Sequence, residues 1–138
     1  MRKLILCVDD DPITLMLCKM VISRATFATE VITAQNGEEA LNYFDDLKLN
    51  NLGTEIKKYP QLIFLDLNMP VMGGWEFLDH FCKPDYASVF TACKIIVLSS
   101  TIDPDDIRKA KTYPMVLDFL SKPITKEMLE DLRLKHMK

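Results

Sequence analysis

The stretch "LIFLDLNMPVMGG" (residues 62–74) runs four apolar residues, Leu62 to Leu65, directly into Asp66, then through Asn68 and Met69-Pro70 to Gly73-Gly74. Its apolar part has the length and composition of a strand covered on both faces. A carboxylate at the tip of such a strand costs free energy unless its charge is used. Met69-Pro70 and Gly73-Gly74 turn the chain sharply after it and bring backbone close to it. Two questions follow: what covers the strand, and what Asp66 is for.

Similar runs recur on both sides of this one. "KLILCV" (3–8), "EVITA" (30–34), "QLIFL" (61–65), "KIIVLS" (94–99) and "MVLDFL" (115–120) are short and rich in Ile, Val and Leu. The segments between them carry helix signals. Pro12 sits in the first turn after Asp11, and Asn36 precedes Glu38-Glu39, a cap followed by first-turn acids. "GGWEFLDHF" places Trp75, Leu78 and Cys82 on one face, "DPDDIRKAKTY" repeats the Asp–Pro–acid opening, and Ile124, Met128, Leu129, Leu132 and His136 fall at helical spacing. Five β-α units in strict alternation predict a doubly wound α/β sandwich with right-handed crossovers. The stretches 49–60 and 82–93 read as long irregular connections, with no repeat or interdomain linker.

Composition narrows the function classes. The chain has 138 residues, 49% hydrophobic and 27% charged, with a formal net charge of −3, the balance of one soluble domain without a broad nucleic-acid surface. No apolar stretch reaches the roughly 20 residues that span a bilayer. The five-residue run after Met1-Arg2-Lys3 ends in three aspartates, which excludes a cleavable signal, and a cytoplasmic protein is expected. Cys7, Cys18, Cys82 and Cys93 show no C-x-x-C pairing and sit in apolar contexts, which reads as small buried thiols rather than disulfides, zinc ligands or redox groups. The basic "LRLKHMK" reads as a helix end. His80 and His136 lack partners at ligand spacing and read as surface or packing residues.

In an open parallel sheet, ligands bind beyond the carboxyl ends of the strands. Those ends carry Asp9-Asp10-Asp11, Asp66, Ser99-Ser100-Thr101 and Ser121-Lys122-Pro123; the second strand ends in uncharged Thr33-Ala34-Gln35. Carboxylates held together repel unless they share a cation, and oxygen-only ligands select a hard ion such as Mg²⁺. A lysine and a hydroxyl beside them suit phosphoryl transfer, in which positioning and charge stabilisation dominate, and a carboxylate can serve as the nucleophile. Asp11, next to Pro12, reads as a helix cap, and Ser100 and Thr101 as turn residues.

"ILCVDDDP", "LIFLDLNMPVMGGWEFL", "IIVLSS" and "FLSKP", in this order and at these separations, resemble the receiver domain of bacterial two-component response regulators over essentially the whole chain. The resemblance implies a five-stranded parallel sheet in order 2-1-3-4-5 with helices on both faces, and a single receiver domain over 1–138 without an output domain. It makes Asp66 the phosphoacceptor and Asp9 and Asp10 the acid pair that holds Mg²⁺, with Asn68 adding its backbone carbonyl. Ser99 becomes the switch hydroxyl and Lys122 the site lysine, followed by a cis peptide to Pro123. Phe119 stands where an aromatic swings inward on switching, a position at which many members carry Tyr. Gly73 departs from the Asp or Asn frequent there. The implied partners are a histidine kinase or histidine phosphotransfer protein and a downstream protein reading the face over residues 102–134, with neither nucleic acid nor membrane bound directly. Such a domain catalyses only its own phosphorylation and dephosphorylation and is not a free-standing enzyme.

Two rivals stand beside this reading. "LILCVDDDPIT" resembles the nucleophile motif of haloacid-dehalogenase-like phosphatases, with Asp9 attacking, but Ile13 occupies the place of a Thr or Val. The other rival is a receiver-like module that binds its partner independently of phosphorylation.

Overall fold

The apolar runs form five parallel strands, as their double-sided hydrophobicity requires. A computed structural model describes residues 4–136; Lys3, read as the start of the first strand, and the last two residues of the basic tail lie outside them. The elements in chain order are β1 (Leu4–Val8), α1 (Pro12–Arg24), β2 (Glu30–Ala34), α2 (Gly37–Asn50), β3 (Leu62–Asp66), α3 (Gly74–Phe81), α4 (Pro84–Ala87), β4 (Lys94–Ser99), α5 (Pro104–Ala110), β5 (Val116–Ser121) and α6 (Lys126–His136). The sheet order is β2-β1-β3-β4-β5, with parallel pairing throughout. The order reverses on either side of β1, so a crevice opens beyond the carboxyl ends of β1 and β3.

Side chains alternate between the faces of each strand. Leu6, Val8, Ile63, Leu65, Ile95 and Val97 pack with Phe44, Phe77, Leu78 and Phe81 of α2 and α3. Ile5, Cys7, Leu62, Phe64, Ile96 and Leu98 pack on the other face with Leu15, Cys18 and Ile22 of α1 and Leu129 and Leu132 of α6. Two covered faces explain why β1 and β3 are buried at every position. The helix starts follow their sequence signals: Asp11, Asn36 and Asp103 each accept a hydrogen bond from the first turn of the helix that follows.

Several boundaries differ from expectation. The segment 82–93 contains the one-turn helix α4, too short to show a hydrophobic period. Helix α5 stops at Ala110 rather than continuing to Tyr113. Ile124 is buried but precedes α6, and His136 at its far end is exposed. The two long connections pack on each other. Phe90, fully buried, lies 4.8 Å from Phe44 and 5.1 Å from Tyr59 between ring centroids, and the Tyr59 hydroxyl accepts the Ala92 N–H at 3.1 Å. Tyr86 of α4 donates to Asp45 at 2.6 Å. These insertions close the end of the sheet opposite the crevice.

Candidate functional site

Four strand ends, those of β1, β3, β4 and β5, and one loop build the crevice. Asp9 and Asp66 share the side-chain parity of Cys7 and Phe64, so both carboxylates turn toward the face that α1 and α6 cover. The Asp9 backbone N–H donates to the Ala34 carbonyl at 3.1 Å, and its Oδ1 accepts the Asp11 N–H at 3.0 Å. Asp11 is committed elsewhere, accepting the Ile13 N–H at 2.9 Å and the Thr14 hydroxyl at 3.1 Å. Asp9 and Asp66 are 5% and 6% exposed, whereas Asp10 is exposed. Asp9, Asp10 and Asp66 can each present one carboxylate oxygen within 4.8 Å of the others.

Lys122 reaches this cluster because β5 pairs with β4. Ser99 stands opposite Ser121, and the Lys122 N–H donates to the Ser99 carbonyl at 2.8 Å. Its Nζ lies 2.6 Å from Asp9 Oδ2 and 3.0 Å from Asp66 Oδ1, and the Lys122–Pro123 peptide is cis. Burial holds the Asp66 carboxyl above the usual carboxylate range and the Asp9 charge raises it further, against the opposing pull of Lys122 and the Leu67 N–H. For Lys122 burial alone acts downward, but the hydrogen bonds to Asp9 and Asp66 prevail and raise it.

The loop after Asp66 is held by backbone. Gly74 donates to the Leu67 carbonyl at 2.9 Å, and a Cβ there would lie 2.5 Å from the Asp66 carbonyl oxygen and 2.8 Å from Leu67 Cα, so only glycine fits. Gly37, at the start of α2, donates to the Met72 carbonyl at 2.8 Å and ties the loop to that helix. Between these anchors Val71 takes φ 71°, a strained conformation for a β-branched residue, with its side chain 74% exposed. Neither the Gly37 tie nor the Val71 conformation has a signal in the sequence, where Asn36 reads as the cap of α2. Asn68 is exposed on this loop beside Asp66.

Ser99 is 2% exposed, and its hydroxyl accepts the Thr101 N–H at 3.3 Å. Phe119 stands opposite Val97, two places along from the Ser99–Ser121 pair, so Ser99 and Phe119 project toward the same face. Phe119 is half-buried against the α2–α3 core. His80 and His136 lie away from the acid cluster, on α3 and at the end of α6. The four cysteines are free thiols; Cys7, Cys18 and Cys93 are buried and Cys82 is half-buried.

Comparison with known proteins gives a consistent family. The response regulator receiver domain matches residues 5–133. A response regulatory protein of Staphylococcus epidermidis is 33% identical over 132 residues, covering 96% of this chain and 45% of the relative. The nitrate/nitrite response regulator protein NarL of Escherichia coli is 33% identical over 103 residues, covering 75% of this chain and 40% of its own length. The chain thus spans less than half the length of these relatives. Among solved structures, a two-component response regulator from Cytophaga hutchinsonii superimposes with a TM-score of 0.85 at 29% identity, covering 97% of this chain and 96% of that one. The chemotaxis protein CheY4 of Vibrio cholerae gives 0.74 at 25% identity, with 98% of each chain covered. With the parallel sheet in order 2-1-3-4-5 and the acid cluster at its carboxyl edge, these matches place the chain in the response regulator receiver domain family of two-component systems.

Proposed function

We propose that this domain accepts a phosphoryl group on Asp66 from a histidine kinase or a histidine phosphotransfer protein in the cytoplasm, with Mg²⁺ required. One observation carries the reading: the Lys122 ammonium lies between Asp9 and Asp66, 2.6 and 3.0 Å from their oxygens, beside the exposed Asp10. An isolated buried carboxylate would be protonated or removed; this one is kept beside two other acids and a lysine.

The donor set fits a hard divalent ion: it is all oxygen, two members are buried, and the third faces solvent. Asp9, Asp10 and Asp66 would hold Mg²⁺ with the Asn68 carbonyl. When bound, the ion supplies charge neutralisation at the phosphoryl oxygens. Asp66 is the nucleophile. Its carboxylate oxygen bonds to phosphorus as the phosphorus–nitrogen bond of the donor phosphohistidine breaks, and the imidazole leaves with the electron pair. Lys122 exchanges one carboxylate contact for a phosphoryl oxygen, and the Ser99 hydroxyl leaves the Thr101 N–H to donate to another. That movement opens space on the face Ser99 shares with Phe119, whose ring turns inward. The phosphoryl group then biases a two-state equilibrium read by a protein partner on the α5–β5–α6 face, residues 102–134. The domain turns over no separate substrate.

The test is intact-protein mass after incubation with acetyl phosphate, with and without Mg²⁺, for wild type and Asp66→Asn. A single phosphoryl adduct requiring both Mg²⁺ and Asp66 is expected. An adduct on Asp9 would indicate phosphatase-type chemistry, and no adduct under any condition a binding module that works without phosphorylation.

A further inference from the structure

The loop between Asp66 and α3 is pinned at two carbonyls. The Gly74 N–H holds the Leu67 carbonyl at 2.9 Å, and the Gly37 N–H, in the first turn of α2, holds the Met72 carbonyl at 2.8 Å. Only Asn68, Met69, Pro70 and Val71 lie between the two pinned residues. The ring of Pro70 fixes its own φ, and Val71 takes φ 71°. A β-branched residue in that region is strained and persists only where its surroundings over-determine it. The two pins provide that constraint, and Asn68 sits inside the segment they define.

Helix α2 does not itself require glycine at position 37. Asn36 caps the helix by accepting the Glu39 N–H at 2.9 Å, and the φ of Gly37 lies outside the left-handed region. Alanine would favour the helix over glycine. What the position demands is room. A Cβ at Gly37 would lie 2.8 Å from Met72 Cγ and 3.0 Å from both the Met72 carbonyl oxygen and Phe77 Cβ. Phe77 is fully buried in the α2–α3 core, so the displacement falls on Met72 and on the hydrogen bond that pins it.

We propose that Gly37 is a positioning residue for the metal site: through Met72 it holds the strained loop that carries the Asn68 carbonyl, and Mg²⁺ affinity depends on that hold. The inference rests on the reading of Asp9, Asp10, Asp66 and Asn68 as the ligands of the ion. With the pin weakened, nothing opposes the return of Val71 to negative φ, and the segment carrying Asn68 follows. Outer groups that orient metal ligands change affinity about 10- to 100-fold when altered. Asn68 is one ligand of four, so Gly37→Ala belongs at the low end, roughly tenfold weaker.

The experiment uses the whole chain with magnesium chloride as the probe. Backbone amide NMR gives the Mg²⁺ Kd of wild type, Gly37→Ala, Val71→Asn and the double variant, and urea denaturation gives their stabilities without the ion. Gly37→Ala should bind roughly tenfold more weakly. It should also raise the Mg²⁺ concentration for half-maximal phosphorylation by acetyl phosphate by roughly the same factor, with little change in the limiting rate. Asparagine tolerates positive φ, so Val71→Asn should be more stable than wild type, and the double variant should recover most of the lost affinity. Hydrogen exchange on wild type needs no variant to fold. Coupling is reciprocal, so saturating Mg²⁺ should slow exchange of the Gly37 N–H roughly tenfold. The Thr54 N–H, bonded to the Asn51 carbonyl in the remote 49–60 connection, should exchange at an unchanged rate. Unaltered affinity in Gly37→Ala, or Gly37 exchange indifferent to Mg²⁺, would overturn the positioning role and leave the metal site standing. Equal losses in the single and double variants would overturn the part assigned to Val71. A wild type that binds no Mg²⁺ would overturn the metal reading and this inference together.

Discussion

Replacing Lys122 with Met keeps the apolar stem and removes the ammonium that stands between two buried acids. In the native protein the charge lies 2.6 Å from Asp9 and 3.0 Å from Asp66, with Lys122 18% exposed and the acid side chains 7% and 8% exposed. Removing one partner of a buried ion pair costs about 3–5 kcal/mol, because the remaining charge is left without compensation. The solvent that reaches Lys122 and Asp10 places this case at the low end, about 3 kcal/mol, or a fall in Tm of roughly 10 °C for a domain of this size. The pH dependence follows from the directions of the shifts. The folded pKa of Lys122 is raised, so its stabilisation is fully present below the unfolded lysine value and is lost only as pH rises through the higher folded value. At pH 7 the whole contribution is in place. In the variant the penalty requires ionised carboxylates, so the deficit should narrow as pH falls toward the unfolded carboxylate value, about 4. Urea denaturation of both proteins at pH 7.5 and pH 4.5, with matched m-values, measures this. Added Mg²⁺ should recover part of the deficit at pH 7.5, since a ligand of the native state at a hundred times its Kd contributes about 2.7 kcal/mol. Equal stability at pH 7.5, or a deficit that does not shrink at pH 4.5, would refute the view of Lys122 as counter-charge to the acids.

Asp66→Asn should stabilise the domain at neutral pH. The folded carboxyl is raised, first by burial, so stability falls as pH rises from the unfolded value through the folded one; the variant's advantage, read by urea denaturation, should vanish below that window. Phe119→Ala should leave phosphorylation intact and blunt the conformational response, followed through the fluorescence of Trp75, which stacks on Tyr113 beside α5. Its stability cost should be about 2 kcal/mol, half that of a fully buried Phe. Gly74→Ala drives a methyl to 2.5 Å from the Asp66 carbonyl oxygen, where only backbone can yield, and should cost about 1–3 kcal/mol while slowing phosphoryl acceptance measured by intact mass.

Much of this was legible because the fold is written in residues that act along the chain. Double-sided apolar runs and Asp–Pro or Asn–Gly helix starts are local signals, and the strand ends Asp9, Asp66, Ser99 and Lys122 are defined by where those runs stop. What escaped depends on lateral packing. The Gly37–Met72 hydrogen bond depends on where two crossovers bring their loops. Val71 carries no turn signal at all; its positive φ is imposed by the glycines and the Gly37 tie on either side. The short α4 was missed for another reason: Pro84 starts it, but Pro84–Ala87 is less than a hydrophobic repeat.

The arrangement also explains why one lysine faces three acids. Three carboxylates less one ammonium leave a charge of −2 on Asp9, Asp10, Asp66 and Lys122. On the proposed function a phosphoryl donor brings further negative charge, which the bare cluster would repel. One divalent cation would bring the cluster to neutrality, which is the charge argument for the Mg²⁺ dependence proposed above. A second lysine in place of Asp10 would also cancel the charge, but permanently, giving an ion-paired core with no demand for cation or phosphate. Keeping Asp10 in solvent leaves the deficit open to the ion. Acceptance then depends on two ligands arriving at one edge, and substitution of Asp10 by Asn should weaken the Mg²⁺ dependence of phosphorylation while leaving Asp66 and Lys122 in place.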